Sequence, residues 1–474
     1  MNGYIFVIAF YSIVMIALGF YFSKRRNVKD ASGFFVAGRG LSTRLLFTTL
    51  LASNIGAGST IGLAGMAYKY GISAWWWIGA SGLGSIFLAY WVGPRIYAKA
   101  CEHGFFTLGD YLEYRYSKLF RGTTSLMMGI GTLAIFGGQL LGIAWILQTV
   151  SGLSKTSGIL IGALVVVLYS ISGGLTSAAA VNMFQIAVKM LGFVLAAVAA
   201  YVAVGGFSGL AVKIAAVAPV DNVMLSWDGI GLTVIIGFFL MLTPSFCISP
   251  GLIGKVYGAE SVEAVKRGTA LNGVMQWLFG MLIVFIGMSA FAMVPTLANR
   301  ELALPTAIIE LMPFWIAALA LAAIFAAEVS TSDAILYMIA GAWANDVYKG
   351  LINPNISSKN LLILGRVMMA VGGAVAILFA MVLPNIIGAL TIFYTLMSVS
   401  LAAPLFFGLF TKSADSRGAL LSAIIGVVVT IYFQFFATKH GVWLLNAQST
   451  GILFSIAFMA VWTLMRKLRL PRPC

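Results

Sequence analysis

Charge is what this sequence has least of. Of its 474 residues only 9% are charged, 14 acidic against 29 basic. A water-exposed chain of this length needs far more charge to cover its surface. No polar block is long enough to form a separate soluble domain, so one membrane domain over residues 1–474 is expected. The only histidines, His103 and His440, lie too far apart for a metal cluster. Three cysteines, Cys101, Cys247 and Cys474, make no disulfide framework. No GxxxxGK[ST] loop occurs, which argues against an ATP-driven pump with its own nucleotide domain. A nucleophile, metal or cofactor constellation is missing too, so the chain is not expected to be an enzyme. The net charge of +15 invites a nucleic-acid partner, but the basic residues sit in short loops between apolar stretches. No nucleic-acid partner is expected; the lipid bilayer is.

Hydrophobic residues make up 61% of the chain and the mean hydropathy is +1.00. Stretches of about 20 apolar residues, each able to cross a hydrocarbon core of about 30 Å, recur throughout. The pattern predicts an all-α membrane protein of about thirteen spans. We number them 1 to 13: 3–22, 44–66, 73–97, 123–150, 156–172, 178–205, 229–250, 270–294, 311–340, 360–382, 384–410, 417–437 and 449–466. Turn residues separate them, as in Ser172-Gly173-Gly174 and 353–358. Span 1 has neither a basic head nor a small-residue cleavage site, so it is read as retained. With the N-terminus outside, twenty-three of the 29 basic residues fall on the inner side. They include Lys24, Arg39, Arg95, Lys118, Lys255 and Arg366. The positive-inside rule then gives an N-out, C-in topology. The short loops point to a prokaryotic plasma membrane. Oligomeric state is not readable.

Two spans are interrupted. Span 2 carries Ala52-Ser53-Asn54-Ile55-Gly56-Ala57-Gly58-Ser59-Thr60, small and polar where lipid-facing helices put Leu and Ile. Span 7 carries Thr243-Pro244-Ser245-Phe246-Cys247-Ile248-Ser249-Pro250-Gly251, whose prolines remove backbone donors. Irregular backbone at membrane depth is tolerated only where it lines a cavity or is buried in protein. Spans 2–6 (44–205) and 7–11 (229–410) form two blocks of similar length, each opened by a break. That is the signature of inverted repeats with a binding site at the midplane. Span 1 and the last two spans (417–466) are then peripheral. Lone small-xxx-small patterns such as Ala80 to Gly84 are better read as helix packing.

These motifs resemble those of the sodium:solute symporter family. The similarity rests on Gly38-Arg39-Gly40-Leu41 ahead of Ala52-Ser53-Asn54-Ile55, and on Gly173-Gly174-Leu175 with Gln185. It rests also on Ala326-Ala327-Glu328-Val329-Ser330-Thr331 and on Gly365-Arg366-Val367. The motifs keep their order along essentially the whole chain. The resemblance implies a LeuT-like core of five-plus-five inverted repeats and symport of a small organic solute with Na+ by alternating access. It implies a sodium site made by backbone carbonyls of Ala52, Ile55 and Ala327 and hydroxyls of Ser330 and Thr331. It implies a solute pocket at Asn54, Gly56, Ser59, Trp77, Gln139 and Ser249, with Gly251 near a position where some members carry a gate tyrosine. Ile78 stands where sugar-binding members carry an acid, which weighs modestly against a sugar. Trp75 fits an interfacial belt equally well, and Gln139 fits a helix bridge.

Ionisable groups within spans are functional candidates by default. Here they are Lys189, Glu328 and Asp333. Many family members have an acid at the position of Asn182 and a hydroxyl at that of Asp333, so the acid has changed helices. A second cation site, with Asn182 as a neutral ligand, is thereby put in question. Lys189 follows Asn182 by seven residues, on the same helix face and about 10 Å along the axis. Register against the oppositely directed span 9 puts it level with Ala327 and Glu328. Two arrangements follow. Lys189 pairs with Glu328 beside an ordinary sodium site, or its ammonium stands in for sodium and a proton, H+, becomes the coupling ion.

Overall fold

The computed structural model describes residues 2–26, 30–171, 174–218 and 223–469. The Ser172-Gly173 turn and Cys474 lie outside them. Eleven of the described helices are long and apolar enough to cross a membrane by length and composition. The remaining two expected spans differ in form. Span 5 is a helix of 17 residues, Lys155–Ile171. Span 2 is split into Thr43–Asn54 and Ile61–Tyr70, and its second half runs on through span 3 to His103. A two-stranded hairpin, Gly441–Val442 with Leu445–Asn446, joins spans 12 and 13.

The burial of each span follows from its neighbours. Span 4, Lys118–Ser151, is the most enclosed, and its glycines and alanines face spans 5, 9, 10 and 11 and the break in span 2. Span 6 (Leu175–Val204) and span 9 (Phe314–Ala340) pack along most of their length. Their backbones approach so closely that a Cβ on Gly192 would lie 2.5 Å from the Ala323 Cβ and 3.0 Å from the Leu319 carbonyl oxygen. This contact sets the register that carries Lys189 to Ser330, two turns further along. Span 1 lies against spans 6 and 9 with Phe6, Phe10, Ile13 and Phe20 exposed. Spans 12 and 13 pair with each other at the periphery. The exposed Leu, Val, Phe and Ile side chains of these outer helices are the surface that lipid solvates, since apolar groups exposed in such number are not stable against water.

Candidate functional site

The break in span 2 spans six residues, and its polar groups are satisfied from outside the helix. Helix geometry ends at Asn54, and Ile55 is extended (φ −95°, ψ 92°). The Ser59 hydroxyl accepts from the Gly56 amide at 3.0 Å and donates to the Asn54 carbonyl at 2.9 Å. The Ala57 amide donates to Gln139 Oε1 at 2.8 Å, and the Thr60 hydroxyl donates to the Gly56 carbonyl at 2.9 Å and to Glu328 Oε1 at 3.0 Å. Small residues are required here. A Cβ on Gly56 would come within 2.5 Å of Thr331 Oγ1 and 2.6 Å of Gln139 Oε1.

Two carbonyls freed by this break, those of Ala52 and Ile55, point at span 9. Thr331 Oγ1 donates to them at 3.2 and 3.0 Å, and Ser330 Oγ donates to Ala52 O at 2.8 Å and to Ala327 O at 3.2 Å. Lys189 reaches into the same group from span 6. Its Nζ lies 3.1 Å from Ala52 O, 3.1 Å from Ile55 O and 2.5 Å from Ser330 Oγ. Lys189 and Glu328 are both wholly buried. They are not an ion pair: among the described residues no carboxylate lies within 4 Å of the Lys189 ammonium, and Glu328 is turned to Thr60. Lys189 and Glu328 thus share the site without a direct salt bridge between them. Asp333 lines a small gap with Tyr169, Ser170, Ser177 and Tyr337, and Asn182 is not among the residues around it.

On the other side of the span 2 break lies a partly open cavity, about 690 Å³ of empty space with its open mouth included. Asn54, Gly56, Ser59, Trp77, Gln139 and Ser249 all line it, with Thr331 between cavity and cation seat. Its aromatic wall is Trp77, Phe246 and Tyr394; ring centroids are 6.1 Å apart for Trp77–Tyr394 and 5.6 Å for Phe246–Tyr394. Ser249 is the whole break in span 7. It stands alone (φ −52°, ψ 123°) between Leu232–Ile248 and Pro250–Tyr257. Pro250 starts the second half, where its missing N–H costs nothing. Trp75 and Trp76 lie outside the cavity wall and bond to the carbonyls of Trp277 (3.2 Å) and Trp227 (2.7 Å).

Three features went unread in the sequence. Lys255, assigned to an inner loop, belongs to the second half of span 7. It is buried, lines the cavity, and its Nζ bonds to Ser53 Oγ. The apolar run Leu252, Ile253, Val256 and Tyr257 around it was the available signal. A polar chain also leaves the cavity. Asn54 donates to Asn272 (3.2 Å), Asn272 and Gln276 donate to Ser85 (3.2 and 2.9 Å), and Ser81 donates to Gln276 (3.1 Å). Finally, a second cavity of about 790 Å³ extends toward the face bearing Phe106, Thr107 and Asp346, and shares Gly251, Lys255, Ala334 and Met338 with the first.

The two ends of this path are held differently. Beside the second cavity Arg121 is ringed by Asp110 (2.7 Å), Glu113 (2.7 Å) and Asp346 (3.0 Å). Toward the opposite face Gly58 packs on Leu390, and Glu301 accepts from the Ile386 amide at 2.6 Å and Trp145 Nε1 at 2.7 Å. Burial raises the Glu301 carboxyl from its ordinary value, and those two donors oppose the rise.

Residues 34–426 match the sodium:solute symporter family. A sodium/glucose cotransporter of Vibrio parahaemolyticus is 27% identical, over 91% of this chain and 84% of its own. The uncharacterized symporter YidK of Escherichia coli K12 is 24% identical, over 87% and 75%. Among solved structures, a Na+-coupled sialic acid symporter in a substrate-bound, outward-open state superposes with a TM-score of 0.81 at 21% identity, covering 99% of this chain and 98% of that one. The nucleobase-cation symporter Mhp1, in a closed conformation, gives 0.61 at 13% identity, over 92% and 93%. The fold is LeuT-like, with a five-plus-five inverted-repeat core. The protein is a multi-pass membrane symporter that moves a small solute by alternating access, with sodium as the coupling ion of its relatives. By the extent of the match and the order of its motifs, the chain belongs to the sodium:solute symporter family.

Proposed function

We propose that this protein takes up a small polar organic solute through a prokaryotic plasma membrane, with the basic face in the cytosol. Residues 44–205 and 229–410 are the two inverted halves, and spans 1, 12 and 13 are peripheral. One observation carries the reading: both helix breaks open on the same cavity, backed by a cluster of freed carbonyls and hydroxyls. The solute lies between the aromatic wall of Trp77, Phe246 and Tyr394 and the polar edge of Asn54, Ser59 and Ser249. Gln139 holds the span 2 break in shape through the Ala57 amide. The cation seat is Ala52, Ile55, Ala327, Ser330 and Thr331. Asn182, Lys189, Glu328 and Asp333 set its electrostatics.

The shape of the path supports inward release, because the cavity shares a wall with a second one reaching the basic face while Gly58 packs on Leu390 at the other side. Relatives include cotransporters for glucose and myo-inositol, and the similar solved structure is a sialic acid symporter. Ile78 in the cavity wall offers no acid to a sugar hydroxyl. The wall therefore favours a solute with a flat or apolar face and a few polar edges. A thermal-shift screen of sugars, amino acids and carboxylates identifies stabilising solutes. The best is then followed as a radiolabel into proteoliposomes. Saturable accumulation that Ser249→Ala and Asn54→Ala weaken is the expected result. Uptake indifferent to both substitutions would place the solute elsewhere, and absence of accumulation for every stabilising solute would remove the symporter reading.

A further inference from the structure

The family resemblance places a sodium ion among the carbonyls of Ala52 and Ile55 and the hydroxyls of Ser330 and Thr331. In this chain those oxygens already have a cation. A lysine ammonium has three N–H donors and no acceptor. Lys189 Nζ faces three acceptors, at 3.1, 3.1 and 2.5 Å, and is wholly enclosed. Its donors are matched one to one. An ion bound by the same oxygens would have to lie where Nζ lies, and two like charges that close in a buried site repel strongly.

A second, independent observation is the charge count. The sequence placed two acids, Glu328 and Asp333, and one lysine, Lys189, within the spans. The structure adds Lys255, buried in span 7 beside Ser53. Two buried lysines, Lys189 and Lys255, thus share the core with the two buried acids, Glu328 and Asp333. The seat as built does not fit sodium while Lys189 is in it.

We propose that Lys189 is the resident cation of this seat: its tethered ammonium holds the place of a co-transported sodium and ties span 2 to spans 6 and 9. This rests on the seat being the cation site of the transport cycle. The sodium coupling of the family, where this chain uses it, does not run through Ala52, Ile55 and Ser330 with Lys189 in place. A long flexible stem with a compact charge suits the role, since the ammonium follows small shifts of the break without leaving the membrane.

Counting bound sodium tests it without any knowledge of the solute. The purified full-length protein is titrated with ²²Na⁺ in a choline background, as wild type and as Lys189→Ala and Lys189→Ser. The combination of Lys189→Ala with Ser330→Ala is the control. The expected result is one more sodium per chain in Lys189→Ala and Lys189→Ser than in wild type, lost again in the double variant. Equal counts in wild type and both single variants would overturn the proposal. Should the Lys189 variants not fold, Ser330→Ala and Thr331→Ala in the wild-type background decide it. An unchanged count supports Lys189 as the occupant, and a count lowered by one overturns it. A failure of the transporter reading shows instead in the uptake assay, which this count does not involve.

Discussion

Two lysines are buried halfway across this protein, and they are held in opposite ways. Lys189 meets three oxygens drawn from two different spans and has no open side. Lys255 meets one hydroxyl, that of Ser53, and otherwise faces the walls of both cavities. The difference separates two uses of a charge in a membrane. A fully coordinated ammonium acts as a structural ion joining mobile parts. A singly bonded one on a cavity wall keeps donors free for whatever passes. The two breaks differ in the same sense. Six irregular residues in span 2 expose carbonyls to a cation, while one irregular residue in span 7 turns a single serine toward solute.

The largest expected effect comes from reversing the charge in the closed seat. Lys189→Glu sets a carboxylate against three acceptors, and an uncompensated buried charge costs about 3–5 kcal/mol. Little or no folded protein should be recovered by size-exclusion chromatography. Normal yield would mean the seat is looser than its distances imply. Next is Gly56→Ala, whose Cβ meets Thr331 and Gln139 at 2.5 and 2.6 Å. Overpacking of this kind costs about 1–3 kcal/mol, and uptake should fall at least about tenfold, a change of about 1.4 kcal/mol. A sharper form of the comparison is Lys189→Met against Lys255→Met. The first leaves several buried acceptors short of a donor and should cost about 1–3 kcal/mol; the second should cost less, because it removes a single hydrogen bond, that to Ser53. Thermal melts that rank them the other way round would break the distinction. Smallest in its effect on function is Trp77→Leu, which should weaken solute binding by about five- to tenfold, near 1–1.4 kcal/mol. Isothermal titration with the identified solute measures it.

Much of the site was legible because it is written in local composition. A run of glycine, serine and asparagine inside span 2, and paired prolines in span 7, are signals confined to single helices. The place of Lys189 was reachable because helix rise and periodicity extend a register once one contact is assumed. What escaped depended on contacts between distant segments. Lys255 follows Pro250-Gly251 and precedes Lys266 and Arg267, so it read as part of a basic loop until the helix was seen to run on to Tyr257. Glu328 took Thr60 as its partner across 268 residues of sequence, and no periodicity reports that. The closure by Glu301, Trp145 and Ile386 and the ring of acids around Arg121 likewise join segments whose proximity only packing decides.

The position of one nitrogen atom tests the account most directly. A high-resolution cryo-EM map of the wild-type protein in sodium-containing buffer should show Lys189 Nζ at hydrogen-bond distance from the carbonyls of Ala52 and Ile55 and from Ser330, with no separate ion peak among them. Density for an ion bound by those oxygens, with the Lys189 side chain turned away, would contradict it.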